Sequence, residues 1–230
     1  MDVLHDISFT ALPGQVTALI GSTGSGKSTV VNLIPRFFEV SKGSIRIDGV
    51  DIRSLKQRDL RAQIGFVPQK GLLFSGTIDS NMRLGDPNAD EAVIREAIEI
   101  AQAADFVYGK PEQLNAEVSQ GGTNFSGGQK QRLSIARALV KKPPIYIFDD
   151  SFSALDFKTD AALRKELKKK VGASTVLIVT QRVATAKNSD QILVLENGRL
   201  VGQGTHQELM KTCQTYQEIA SSQLSQEELA

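Results

Sequence analysis

Short apolar runs alternate along the chain with longer stretches of helical period, the pattern of an α/β domain built on a largely parallel sheet. Residues 16–20 (VTALI) predict a strand that ends at Gly21 and leads through a glycine-rich turn into a helix over 27–33. Residues 45–47 and 64–67 predict further short strands, with turn signals at Asp48-Gly49 and Pro68. The first third therefore reads as a small β layer beside the first helix, with His5 on the first strand. From Asp90, the residues Val93, Ala97, Ile98 and Ala101 recur at helical spacing, as do Leu133, Ala136 and Val140 after Gly128. Residues 73–139 are thus expected to be mainly helical. Strand character returns after Pro143-Pro144 in residues 145–148, 175–179 and 192–195, with a charged helix over 159–171 between the first two. Asn197-Gly198 predicts a hairpin turn into Leu200-Val201. The tail from Thr205 reads as one capped terminal helix that starts near His206, carries Cys213 late, and frays over 221–230.

Composition removes several functional classes. The 230 residues carry 27 basic and 26 acidic side chains, a formal charge of +1, which gives no net attraction to nucleic acid. A single cysteine, Cys213, excludes an internal disulfide and a multi-thiolate metal site, so any metal is expected to have oxygen ligands. No apolar run approaches the roughly 20 residues that cross a bilayer, and no secretory signal follows Met1; the chain itself is expected to be soluble and to face the cytosol.

Gly21, Ser22, Thr23, Gly24, Ser25, Gly26, Lys27 and Ser28, followed by Thr29, match the P-loop pattern G-x-x-x-x-G-K-[ST] between a strand and a helix. Glycines let successive N–H groups turn toward phosphates, and the helix N-terminus adds partial positive charge. Lys27 would supply a point charge to the β and γ phosphates, and Ser28 an oxygen to Mg²⁺. A glycine-rich βα turn with no ligand is the plain alternative. Ile145, Tyr146, Ile147 and Phe148 then form an apolar strand tipped by Asp149 and Asp150, where P-loop architecture needs an acid for the Mg²⁺ shell. Paired acids at a strand end also suit a helix cap.

Asn124, Phe125, Ser126, Gly127, Gly128 and Gln129 resemble the signature motif of ATP-binding cassette (ABC) proteins. The resemblance extends across nearly the whole chain: Gln69 in Phe66-Val67-Pro68-Gln69 is similar to the family's Q-loop, Ser153-Ala154-Leu155-Asp156 to its D-loop, and Gly204 to Leu209 to its C-terminal segment. It implies a P-loop NTPase fold of the ABC ATPase type, with a mixed, mainly parallel core sheet, an antiparallel β subdomain and an inserted α-helical subdomain. The division expected is an ATP-binding core over 1–72 and 140–230 and a helical signature subdomain over 73–139. Ser126, Gly127 and Gly128 open a helix and so form a second anion site on a chain that already has a phosphate cradle, which points to a dimer. In the family two such domains pack head to tail, each ATP lying between one P-loop and the other signature. On this resemblance Ser28, Gln69 and Asp149 surround Mg²⁺, and Ser126 to Gln129 with Asp156 complete the partner's nucleotide site.

Residues 77–85 and 117–122 look most like the exporter branch, in which these segments and the Q-loop face a transmembrane domain. The resemblance places that domain N-terminally in a longer polypeptide and the chain at the cytoplasmic face of a membrane. No aromatic precedes Phe9, whereas the family places an adenine-stacking aromatic upstream of the first strand, so weakened nucleotide binding is expected.

Two positions depart from the family pattern. Asp150 stands where a glutamate acts as general base toward the attacking water; one methylene fewer withdraws the carboxylate by about 1 Å, a displacement that can cost on the order of 100-fold in rate. Gln181 stands where the family has a histidine; its amide can hydrogen-bond a γ-phosphate oxygen but carries no proton near neutrality. Both fall on the site built on this chain's own P-loop, while the signature is intact. A slow site paired with a competent site on a non-identical partner is therefore expected, with a slow homodimer as the milder reading. The alternatives are an ATP-gated dimerisation module without hydrolysis of its own, a soluble ABC protein acting on DNA or ribosomes, and a phosphotransferase. The second would need coiled-coil or basic insertions in the helical section, and the third leaves the signature unexplained. The basic run 164–170 reads as a solvated helix face, and Phe37-Phe38 as packing against the β layer.

Overall fold

The computed structural model describes residues 3–224. The chain divides into two compact units, Met1–Ile64 with Ala173–Ala230, and Gly65–Gly172.

In the first unit β1 (Val16–Ile20) runs into the glycine-rich turn and α1 (Lys27–Leu33). Two-residue strands β2 (Arg46–Ile47) and β3 (Val50–Asp51) pair antiparallel around Asp48 and Gly49, both at positive φ as a type I′ turn requires. A short 3₁₀ turn (Ile52–Ser54) and α2 (Gln57–Ala62) follow, and β4 (Ile64–Val67) opens the second unit.

That unit carries β5 (Gly76–Thr77), α3 (Ile78–Arg83), α4 (Glu91–Ile100), α5 (Ala104–Tyr108), β6 (Glu117–Val118), α6 (Gly127–Val140), β7 (Ile145–Asp149) and α7 (Phe157–Lys170). β7 lies beside β4, and β5 pairs antiparallel with β6, a short ladder that the helical period concealed. Helix α3 starts with a capping box in which Thr77 Oγ1 accepts from the Ser80 N–H and Ser80 Oγ from the Thr77 N–H. Ile78, Met82, Ile94, Ile98, Leu133 and Ile135 are fully buried, as the spacing of the apolar positions requires. In the basic run of α7 Lys165, Lys168, Lys169 and Lys170 form a solvated face, with Lys169 paired to Glu166 and Lys170 to Glu96, whereas Arg164 is half-buried against the buried Asp160.

The chain returns to the first unit through β8 (Thr175–Val179), α8 (Val183–Ala186), β9 (Gln191–Glu196), β10 (Arg199–Gly204), α9 (His206–Thr212) and α10 (Gln214–Ser221). Strand order is β10, β9, β1, β8; β1 pairs parallel with both β8 and β9, and β10 antiparallel with β9, giving a mixed, mainly parallel sheet. The central strand is covered on both faces, which is why its sequence is a continuous apolar run. Ala18, Ile20, Ile192 and Val194 pack with Val183, Leu209, Tyr216, Ala220 and Leu224 in one core.

Several expectations need correction. His5 is not on a strand; its N–H donates to the Gly198 carbonyl at 2.8 Å from an irregular segment. The tail is two helices, because Cys213 adopts an extended conformation (φ −121, ψ 104) that ends α9 and starts α10. That break leaves Cys213 5% exposed, against Gly202 of β10, where an added Cβ would lie 2.7 Å from the cysteine sulfur. The expected fraying over 221–230 does not hold at 221–224, where Ser221 ends α10 and the Leu224 side chain is buried in the core; residues 225–230 lie outside the described residues. Phe37 and Phe38 are exposed rather than packed on the β layer, Phe37 lying under the Arg61 guanidinium at 5.3 Å. Among the described residues no helix is long and apolar enough to cross a membrane.

Candidate nucleotide site

The P-loop lies in the first unit. At its entry a Cβ on Gly21 would collide with the Leu195 carbonyl oxygen and lie 2.8 Å from Ser25 Oγ, so β1 can turn this close to β9 only with glycine there. Gly24 (φ 82) and Gly26 (φ 101) hold left-handed conformations that curl the loop, and the Gly198 N–H braces it by donating to the Ser25 carbonyl at 3.1 Å. Gly26 is also the N-cap of α1, so no side chain caps the first amides of that helix. The buried Lys27 ammonium sits inside the curve, donating to the Gly21 carbonyl at 2.8 Å, the Ser22 carbonyl at 2.7 Å and Ser25 Oγ at 3.2 Å. Ser28 is exposed and Thr29 half-buried on the first turn of α1. Gln181, just beyond β8, belongs to the same unit: its Oε1 accepts from Thr23 Oγ1 at 3.4 Å, which joins it to the loop.

The acidic residues lie in the second unit. β7 ends at Asp149, 7% exposed, and the chain turns sharply at Asp150, 9% exposed, whose φ of 46° is left-handed. Aspartate tolerates that region better than most residues. Ser151, fully buried, donates from Oγ to the Val67 carbonyl at 2.8 Å, fixing the strand end against β4. Gln69 follows β4 and donates from Nε2 to Asp150 Oδ2 at 3.2 Å, so this unit brings two residues named for chemistry into direct contact. Behind them Tyr146 and Phe148 stack at 6.2 Å, and burial pushes the Tyr146 hydroxyl up to about 12.

In the same unit Ser126 is the N-cap of α6, its Oγ accepting from the Gln129 N–H at 3.3 Å while Gln129 Oε1 accepts from the Ser126 N–H at 2.9 Å. The signature is thus a capping box in which each side chain holds the other residue's main-chain N–H, leaving the glycines to set the surface. A Cβ on Gly127 would meet nothing within 4 Å, whereas one on Gly128 would press to 3.3 Å from the Ala154 carbonyl oxygen, so signature and D-loop lie side by side. Asp156 caps α7 by accepting from the Thr159 N–H at 2.9 Å, a bond that holds its carboxyl below the usual range.

One residue of this region belongs to no motif. Gln223, after α10, donates from Nε2 to the Gln181 carbonyl at 2.8 Å and accepts at Oε1 from the Val183 N–H at 2.9 Å. A glutamine 42 positions from Gln181 carries no sequence signal of that pairing.

Comparisons with known proteins identify the family. The description of the ABC transporter family matches residues 4–153. An uncharacterized ABC transporter ATP-binding protein of Mycobacterium tuberculosis is 49% identical over 96% of this chain and 38% of its own length. A similarly described Bacillus subtilis protein is 45% identical over 98% of this chain and 39% of its own length. A Staphylococcus aureus protein named for multidrug export as an ATP-binding/permease protein is 42% identical over 96% of this chain and 38% of its own length. The structure of a bacterial Atm1-family ABC exporter with ATP bound superposes with a TM-score of 0.93 at 39% identity, over 97% of this chain and 39% of that one. The chain spans about two fifths of the length of these relatives. With a family match over residues 4–153 and relatives that align across nearly all of it, the chain belongs to the ABC transporter family, in which it forms a nucleotide-binding domain.

Proposed function

We propose that this chain is the ATP-driven motor of an exporter-type transporter, that it binds ATP with Mg²⁺ on its own P-loop and hydrolyses it slowly there, and that it lends an intact signature to a second, non-identical nucleotide-binding domain. The observation that carries the reading is the Lys27 ammonium, buried within the P-loop and held by two main-chain carbonyls and a hydroxyl. A cation so placed, beside a helix start without a side-chain cap, is chemistry suited to a polyphosphate. The hydroxyl, amide and carboxylate oxygens of Ser28, Gln69 and Asp149 are the hard ligands that Mg²⁺ prefers. When bound there, the ion would screen the charge of the β and γ phosphates.

In this reading the amides of Gly21 to Thr29 and Lys27 bind the phosphates. Gln181 donates from its side-chain amide to a γ-phosphate oxygen. Asp150 takes a proton from the attacking water. Its short side chain and its bond from Gln69 both hold the carboxylate back, and Gln181 replaces the family's histidine with a group that cannot become a cation. Ser126, Gly127, Gly128 and Gln129, with Asp156, face the partner's ATP in a head-to-tail pair. The helical subdomain over 73–139 and the segment around Gln69 meet the transmembrane domain at the cytoplasmic face of the membrane. The Atm1-family exporter and the multidrug-export relative support a transport role of this kind.

Calorimetric titration of MgATP into the wild-type chain and Lys27→Ala tests the binding step. A loss of affinity of at least tenfold in the variant is expected; equal affinities would overturn the assignment. The Gln69–Asp150 bond also favours a stricter reading, in which the domain closes on ATP without hydrolysing it. ATP retained in the wild-type chain with no phosphate released over many minutes would favour that version.

A further inference from the structure

The segment that carries Gln181 is pinned from the far end of the chain. Behind β8, the Thr180 N–H donates to the Leu19 carbonyl at 3.0 Å and Thr180 Oγ1 accepts from the Arg182 N–H at 3.0 Å. On its other side Gln223 spans two alternate backbone groups, the Gln181 carbonyl and the Val183 N–H, as a neighbouring strand would. The clamp has a packed base. The Leu224 N–H closes the end of α10 on the Ala220 carbonyl at 2.9 Å, and the Leu224 side chain, 9% exposed, is buried in one cluster with Val183, Ala186, Tyr216 and Ala220. From that base the bonds run through Gln223 to Gln181, and from Gln181 to Thr23 of the P-loop.

We propose that Gln223 is a positioning residue for Gln181, holding its backbone so that the side-chain amide reaches the γ-phosphate, and thereby making ATP recognition depend on the C-terminal helix pair. The inference rests on the reading of Gln181 as the γ-phosphate contact. Replacing Gln223 frees the carbonyl of residue 181 and the amide of residue 183 while leaving the P-loop lysine and its partners untouched. ADP, which lacks the γ-phosphate, should therefore bind as before, and ATP should lose its preference.

The test measures affinities for MgATP and MgADP on the 230-residue chain and hydrogen exchange at the Val183 amide. Gln223→Ala is expected to lower the ATP-to-ADP preference about fivefold, the scale of one partly exposed hydrogen bond, with ADP affinity unchanged and Val183 exchange accelerated. Gln223→Glu keeps the acceptor for the Val183 N–H but loses the donor to Gln181, so it should restore Val183 protection without restoring the preference. In a Gln181→Ala background, Gln223→Ala should change the preference no further. Equal losses for ATP and ADP would mean that Gln223 is merely structural, and an unchanged preference in Gln223→Ala would likewise overturn the proposal. If Gln181→Ala alone leaves the preference intact, the reading of Gln181 has failed and the proposal falls with it. That result is separate from one in which Gln181→Ala acts and Gln223→Ala does not.

Discussion

Asp150 combines a short carboxylate, a left-handed backbone and a bond from Gln69 in one position. Lengthening it by a methylene in Asp150→Glu advances the oxygen by about 1 Å, so phosphate release should rise ten- to a hundredfold with little change in ATP affinity. A stopped assay on both forms would show it, and an unchanged rate would locate the limit elsewhere. The variant should also melt lower, because a longer side chain fits φ 46 less well than aspartate does. The P-loop could be located in the sequence because a phosphate cradle needs fixed residue types at a fixed spacing, whereas Asp150 and Gln181 were located by resemblance, as departures from the family's glutamate and histidine. Gln223 could be located by neither route. Its role lies in two main-chain groups, and main-chain groups leave no mark on the identity of the residues that carry them.

Among the elements, periodicity located helices and strands and missed where chemistry is local. Thr205 was legible as a cap, and its Oγ1 accepts from the Glu208 N–H at 3.3 Å while Glu208 Oε2 accepts from the Thr205 N–H at 2.8 Å. Thr205→Ala should cost about 1 kcal/mol and lower the melting temperature by about 2–4 °C. The break at Cys213 was not legible, since the apolar spacing runs on across it; at the kink the cysteine packs closely on Gly202. By turning α10 back, the kink sets Tyr216 beside His206, with Nδ1 and the phenol oxygen 2.8 Å apart. Burial, and secondarily the Lys187 charge, hold the His206 imidazole below its usual value of 6.5. The folded chain then binds fewer protons than the unfolded one over the interval just below pH 6.5, so stability falls as pH drops through it and levels off below the folded value. Thermal melts from pH 7.5 to pH 5 should show that decline, and His206→Gln should flatten it. A slope that survives the substitution would assign the effect to other groups.

For the molecule as a whole, the two motifs proposed to bind anions sit on separate units, the P-loop on the first and the Ser126 capping box on the second. If each nucleotide lies between the P-loop of one chain and the signature of another, the two motifs can be inactivated on different chains and still complement. Lys27→Ala retains the signature and loses the cradle; Ser126→Arg retains the cradle and places bulk and charge where Gly127 leaves open space. In a background of Asp150→Glu and Gln181→His, which should make turnover measurable, neither chain alone forms a site with both halves intact. A mixture forms one such site in each mixed pair, and about half the pairs of an equal mixture are mixed, so hydrolysis should reappear on mixing and reach about a quarter of the unblocked background's rate per pair. The recovered rate should rise steeply with protein concentration, because an exposed head-to-tail contact is weak until ATP fills it. Silence in the mixture, with the unblocked background active, would mean that hydrolysis needs the P-loop and the signature of one and the same chain, and activity of Ser126→Arg alone would mean that no signature is needed. The heterodimer reading would then lose its physical basis, since a signature that serves no partner cannot complete a second chain's site.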